Sequence, residues 1–252
     1  MGSYVIQQPS TDILMFRITR ESIRNAINYE VMEGLEHALN EVEENKRIKA
    51  LVITGEGEQA FCSGGDLSVF HGLKTKEEAL PMLQRMGNLL YRLATIPKPT
   101  VALVNGIAVG GGCELATACD FRLAREGTKM GFIQGTLAIT TGWGGASLLY
   151  EKMDVYRAMK ILMEADVYPV ETLAEWGYIH KIIAKPEFKE VESFLERMVL
   201  RDVNVIQSYK KVLVQKWVQN GLKERMDNEI KTCSELWEKD AHHEAVRQFL
   251  NK

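Results

Sequence analysis

Three short segments constrain this chain most: IKALVITG at 48–55, TVALV at 100–104 and FRLA at 121–124. A strand with one wet face alternates apolar and polar side chains, whereas IKALVITG and TVALV run almost uninterrupted. That pattern suits a sheet covered on both faces. An earlier strand is expected over DILMFRI, 12–18, ending at the polar break from Thr19 to Ser22. Between the strands lie helical patterns. In NYEVMEGLEHALNEVEEN, Met32, Leu35, Leu39 and Val42 share one face, with Asn28 as N-cap. A second helix is expected from Lys76 to Thr95, closed by Pro97 and Pro99. FCSGGDLSVF contains a turn, and NGIAVGGGCELATACD reads as a strand running through a loop into a helix. Strand–helix alternation at intervals of about 40 residues predicts an α/β fold of stacked ββα units with partly parallel sheets.

Beyond about residue 144 the β signals fade, apart from YIHKII. MDVYRAMKILMEA, VETLAEWG, FKEVESFLERMV, NVIQSYKKVLVQKWVQ and LKERMDNEIKTCSELWEK read as helices. The last of these needs a packing partner for Met226, Ile230, Leu236 and Trp237, from the core or from another subunit.

The 31 basic and 34 acidic residues give a formal charge of -3. That offers no global attraction for nucleic acid or an anionic membrane. The start, MGSYVIQQPSTD, has no secretory pattern, and no apolar stretch approaches the roughly 20 residues of a membrane span. Cys62, Cys113, Cys119 and Cys233 lack metal-ligand spacing and are expected to be reduced thiols, so a cytoplasmic location is expected and no metal site.

The sharpest local signals are GGDL at 64–67 and GGGCE at 110–114. Glycine permits positive φ and close approach by a ligand. Amides at a helix start receive negative charge, and two N–H groups converging on one oxygen would stabilise an enolate. Glycines alone serve equally as structural turns, and neither cluster has the spacing of a nucleotide-binding loop. His71, His180 and the His242–His243 pair form no readable triad. Asp66 and Arg122 read as supports for a loop or a subunit boundary.

RESIRNAIN, LVITGEGEQAFCSGGDL, PTVALVNGIAVGGGCELATACDFRLA, GWGG, YRAMKILMEADVYPVETLAEWGYIHKII and KDAHHEAVRQFL together resemble the crotonase family, also called the enoyl-CoA hydratase/isomerase family. The resemblance implies a spiral of ββα units over residues 1–188 and a helical oligomerisation region over 189–252, forming a homotrimer or a dimer of trimers. It implies no prosthetic group; coenzyme A enters as part of the acyl-CoA substrate. The amides of Gly65 and Gly111 would hold the thioester oxygen. The backbone around Ala26 and the loop of Ser63, Asp66 and Leu67 would contact coenzyme A, as would Phe249 and Lys252. Trp143 would shape the acyl pocket.

Family hydratases place one glutamate at Glu114 and a second where this chain has Gln134. A glutamine orients water or substrate but is no general acid or base. The resemblance still places hydration first, with Glu114 as the proton-handling group. The alternatives are decarboxylation of a methylmalonyl- or ethylmalonyl-type thioester, double-bond isomerisation, and acyl-CoA binding without catalysis. TACDFRLA and the Trp-Gly-Gly arrangement resemble the ethylmalonyl-CoA decarboxylase branch, though this chain lacks that branch's histidine at Gln134. An ionised Glu114 would repel a malonyl carboxylate unless one of the two held a proton.

Overall fold

A computed structural model describes residues 2–250; Lys252 lies outside them. The strands are β1 (Tyr4–Ser10), β2 (Ile13–Ile18), β3 (Ala50–Gly55), β4 (Ala60–Cys62), β5 (Thr100–Val104), β6 (Ile107–Val109), β7 (Phe121–Arg125), β8 (Lys129–Gly131), β9 (Tyr168–Pro169) and β10 (Lys181–Ile183). They form a six-stranded sheet, β1-β2-β3-β5-β7-β10, and a four-stranded sheet, β4-β6-β8-β9. Only the outer pairs β1/β2 and β8/β9 are antiparallel.

Period-two alternation explains the uninterrupted apolar runs. Met15, Val52, Val101 and Leu123 point to one face of the large sheet, where α8 (Phe188–Val199) covers them with Val191 and Leu195. Phe16, Ile53, Ala102 and Ala124 point to the opposite face and the main core. Each strand is therefore buried on both sides, as its composition requires.

Successive strands switch sheets. β3, β5 and β7 lie in the large sheet, while β4, β6 and β8 lie parallel in the small one. This is the expected ββα spiral, with one addition and one correction. Before the turn in FCSGGDLSVF the structure adds a strand, Ala60–Cys62. The repeat is also uneven: the large-sheet strands begin at Ala50, Thr100 and Phe121. The long first interval holds α2 (Leu67–Phe70) and α3 (Lys76–Thr95), while the short second one holds only α4 (Gly111–Ala118).

Asn28 caps α1 (Tyr29–Glu44) by accepting from Val31 N–H, and Thr75 with Glu78 closes a capping box on α3. After β8 the chain forms a short 3₁₀ turn (Ile133–Leu137), then α5 (Gly145–Lys152), α6 (Val155–Glu164), α7 (Val170–Glu175), α9 (Val203–Gln219), α10 (Leu222–Trp237) and α11 (Asp240–Leu250). α10 answers the need for a packing partner within the chain. It lies along α3 and α5, burying Met226, Ile230, Cys233 and Trp237 in the main core. Among the described residues, no helix is long and apolar enough to cross a membrane.

Candidate active site

Three parallel small-sheet strands end side by side, and each delivers one part of a single site. Cys62 on β4 registers with Ala108 on β6, and Val109 with Gly131 on β8. The next residues along each strand are the loop through Gly65, the turn at Gly110–Gly111, and the 3₁₀ turn carrying Gln134. Gly64 and Gly110 take φ values of 98° and 55°, which a side chain would strain. The two turns are in contact: a Cβ on Gly64 would lie 3.0 Å from Gly111 N.

The Gly65 loop is clamped from behind. Ile27 N–H donates to Gly64 O at 2.8 Å, and Asp66 N–H to Ile27 O at 2.9 Å. In such a parallel bridge the intervening residue's own N–H points to the opposite edge, so the Gly65 amide faces away from Ile27. Gly111 opens α4, so its N–H has no intrahelical acceptor. Trp143 seats its ring across both glycines. A Cβ would meet the indole at 3.6 Å from Gly65 and at 2.2 Å from Gly111.

Glu114 lies one turn into α4 and is 2% exposed. Its Oε1 accepts from Trp143 N–H at 2.9 Å and Gly145 N–H at 3.0 Å, and its Oε2 accepts from Gln134 Nε2 at 2.9 Å. Burial pushes its carboxyl up to about 8, with the charge of Glu229 adding to the rise; the three donors pull the other way. Near neutral pH it is therefore mostly a carboxylic acid. Gln134 is also buried, and its Oε1 has no partner among the described residues.

These groups line a cavity of about 460 Å³. Ala26, Ser63, Gly65, Asp66, Leu67, Gly111, Glu114, Gln134, Trp143 and Phe249 all border it. Two of them are already engaged. The Asp66 carboxylate caps α2 through Ser68 and pairs with Arg20 at 2.7 Å. The Ala26 carbonyl accepts from Arg20 Nη1 at 2.6 Å. Residue patterns missed the wall opposite the glycines, formed by Leu83 of α3, Cys233 and Trp237 of α10 and His242 of α11. His242 Nδ1 donates to Leu137 O at 2.7 Å, fixing its tautomer. They also missed Arg24, at the cavity mouth, exposed and without an ion-pair partner among the described residues. His180 lies elsewhere, its imidazole pushed down to about 4 by burial. All four cysteines are free and buried, and among the described residues no three His, Cys, Asp or Glu side chains are placed to hold a metal ion.

Residues 9–252 match the family model described as enoyl-CoA hydratase/isomerase. The chain belongs to this family. Crotonase-family enzymes act on an acyl-CoA thioester through an oxyanion-stabilised enolate, and so does this one. It is 31% identical over 239 residues to the ethylmalonyl-CoA decarboxylase of Xenopus tropicalis, covering 94% of this chain and 78% of that one. It is 25% identical to the short-chain-enoyl-CoA hydratase of Clostridium acetobutylicum, over 98% of this chain and 95% of the other. The enoyl-CoA hydratase of Bacillus halodurans superposes with a TM-score of 0.88 at 21% identity, covering 98% and 100% of the two chains. That likeness is one of fold.

Proposed function

We propose that this crotonase-family enzyme decarboxylates a 2-carboxyacyl-CoA of the methylmalonyl or ethylmalonyl type. One observation carries the reading: of the two carboxyl groups on the cavity, Asp66 is held by Arg20, and the buried Glu114, its carboxyl pushed up to about 8, stands beside an amide rather than a second acid. Hydration would have to run on Glu114 alone, since Gln134 is no general acid or base, at a loss of about 10²–10⁴-fold in rate. A neutral Glu114 does not repel a substrate carboxylate, which removes the obstacle that an ionised glutamate would present. The 31% identical decarboxylase relative supports the same choice over the hydratase assignment that the sequence placed first.

In this mechanism the bond from Cα to the carboxylate carbon breaks, and its electron pair enters the thioester as an enolate. The enolate oxygen takes the N–H groups of Gly65 and Gly111 as its charge develops. Carbon dioxide leaves, Glu114 Oε2 passes its proton to Cα, and the carboxylate is reprotonated from water. Overall, one proton replaces the lost carboxylate. Trp143 keeps water from the enolate, Arg24 meets a phosphate of coenzyme A at the mouth, and Phe249 borders the cofactor end.

The test is a product panel of crotonyl-CoA, a β,γ-enoyl-CoA, methylmalonyl-CoA and ethylmalonyl-CoA. Carbon dioxide released from a malonyl-type substrate is the expected result. A β-hydroxyacyl product from crotonyl-CoA with no carbon dioxide from the others would overturn it. The pH profile gives an independent reading. A group that must be protonated loses activity as pH rises through about 8, whereas a glutamate acting as base in hydration would gain activity over the same range.

Self-association belongs to the same proposal. Val155, Tyr156, Met159 and Met163 leave an apolar face exposed on α6, and Val205, Tyr209, Val212 and Leu213 another on α9. Faces of this kind suit contact with further copies of the chain. Beside α9 runs a groove of about 870 Å³ that carries none of the glycine-loop residues. With 189–252 as the oligomerisation region, light scattering should give the mass of a trimer or a dimer of trimers. A monomer mass independent of concentration would defeat this.

A further inference from the structure

Two carboxyl groups meet the head of α5, and only one borders the cavity. Glu114 takes the Trp143 and Gly145 amides. Glu229, from α10, takes the next two: Ala146 N–H at 3.0 Å and Ser147 N–H at 2.8 Å. It also accepts from Ser147 Oγ at 2.7 Å and from Thr141 Oγ1. One helix start is thus shared between two acids, because α10 packs across α5.

Two carboxyl groups on consecutive amides of one helix start do not ionise together readily, and burial raises the Glu229 carboxyl as it does that of Glu114. No Lys, Arg or His pairs with either among the described residues. Arg225, one turn away on α10, is bound to Glu151 at 2.5 Å instead. The nearby thiols, Cys113 on α4 and Cys233 on α10, are buried and stay neutral. The donors decide which acid keeps the charge. Glu229 has four and is partly exposed, whereas Glu114 has three and is 2% exposed.

We propose that Glu229 is a positioning residue that holds the pair's negative charge at the head of α5 and so keeps Glu114 protonated for delivery to the substrate. The second carboxylate that the sequence lacks at Gln134 is present after all, behind the cavity wall, where it tunes the first without touching substrate. Proton delivery rests on the decarboxylase reading; the division of charge does not.

The experiment titrates the enzyme labelled with ¹³C at the glutamate carboxyl carbons, using E114Q to assign the Glu114 resonance. In wild type that resonance should titrate near 8. In E229Q its midpoint should fall by roughly one pH unit, and the descending limb of the turnover profile should fall with it. Ser147→Ala, which removes one donor from Glu229, should shift both in the same direction by less, and it serves if E229Q does not fold. A Glu114 midpoint unchanged in both variants overturns the proposal, even if turnover drops. A shifted midpoint in an enzyme that releases no carbon dioxide upholds the charge division and sinks the decarboxylase reading instead.

Discussion

If the proposed decarboxylation is the reaction, Glu114→Gln should lower the turnover number for carbon dioxide release by about 10²–10⁴-fold while leaving acyl-CoA binding largely intact. The substitution is close to isosteric, and the site can absorb it. The new side-chain oxygen still accepts from Trp143 and Gly145, and its amide nitrogen then faces Gln134. Rotating the Gln134 amide by half a turn brings its oxygen, now without a partner, to accept that nitrogen. The fold is kept while the transferable proton is lost. Thermal melts provide a second reading. The wild-type carboxyl titrates at about 8 when folded, against 4.5 for the unperturbed group. The stability it contributes is therefore full below the unfolded value and declines as pH rises toward 8. That decline should be weaker in E114Q. A variant turning over within tenfold of wild type would show that the proton comes from elsewhere.

Gly111→Ala should be nearly as damaging, for a different reason. The added methyl would sit 2.2 Å from the Trp143 ring, so either the indole or the start of α4 must move. Such overpacking costs about 1–3 kcal/mol in stability, which a domain of this size can survive. Moving one oxyanion donor out of place should cost about 10²–10³-fold in turnover. Circular dichroism and kcat measured on the same sample separate the two effects. Retained kcat with a displaced tryptophan signal would mean that the Gly111 amide does not hold the reacting oxygen.

What the sequence makes legible here is whatever is local. Glycines at 64–65 and 110–111, an acid just after the second pair and an amide at 134 all announce themselves within a few residues. The large-sheet strands are legible because burial on both faces leaves a continuous apolar record. Of the small-sheet strands only β6, in NGIAV, is legible; β4 and β8 are not, since three residues are too few to show a period, although these strands bring the site together. The far wall of the cavity is equally hidden. Leu83, Cys233, Trp237 and His242 meet only because α10 packs on α3 and α11 follows it. Glu229 is the clearest case: within MDNEIK it looks like one more charge on a wet helical face. Nothing nearby in the chain says that it reaches the start of a helix far upstream.

The proposed oxyanion donors belong to the main chain, so no substitution other than proline deletes either one. Every one of the twenty amino acids except proline brings the same N–H to positions 65 and 111. A lineage with this scaffold can therefore exchange the side chains around the reacting carbon, and with them the reaction, while inheriting the enolate cradle unchanged. Replacing the Gly111 peptide link by an ester, with glycolic acid in place of the glycine, would remove that hydrogen without adding a side chain, at the cost of a weaker Gly110 carbonyl acceptor for Cys113 and Glu114.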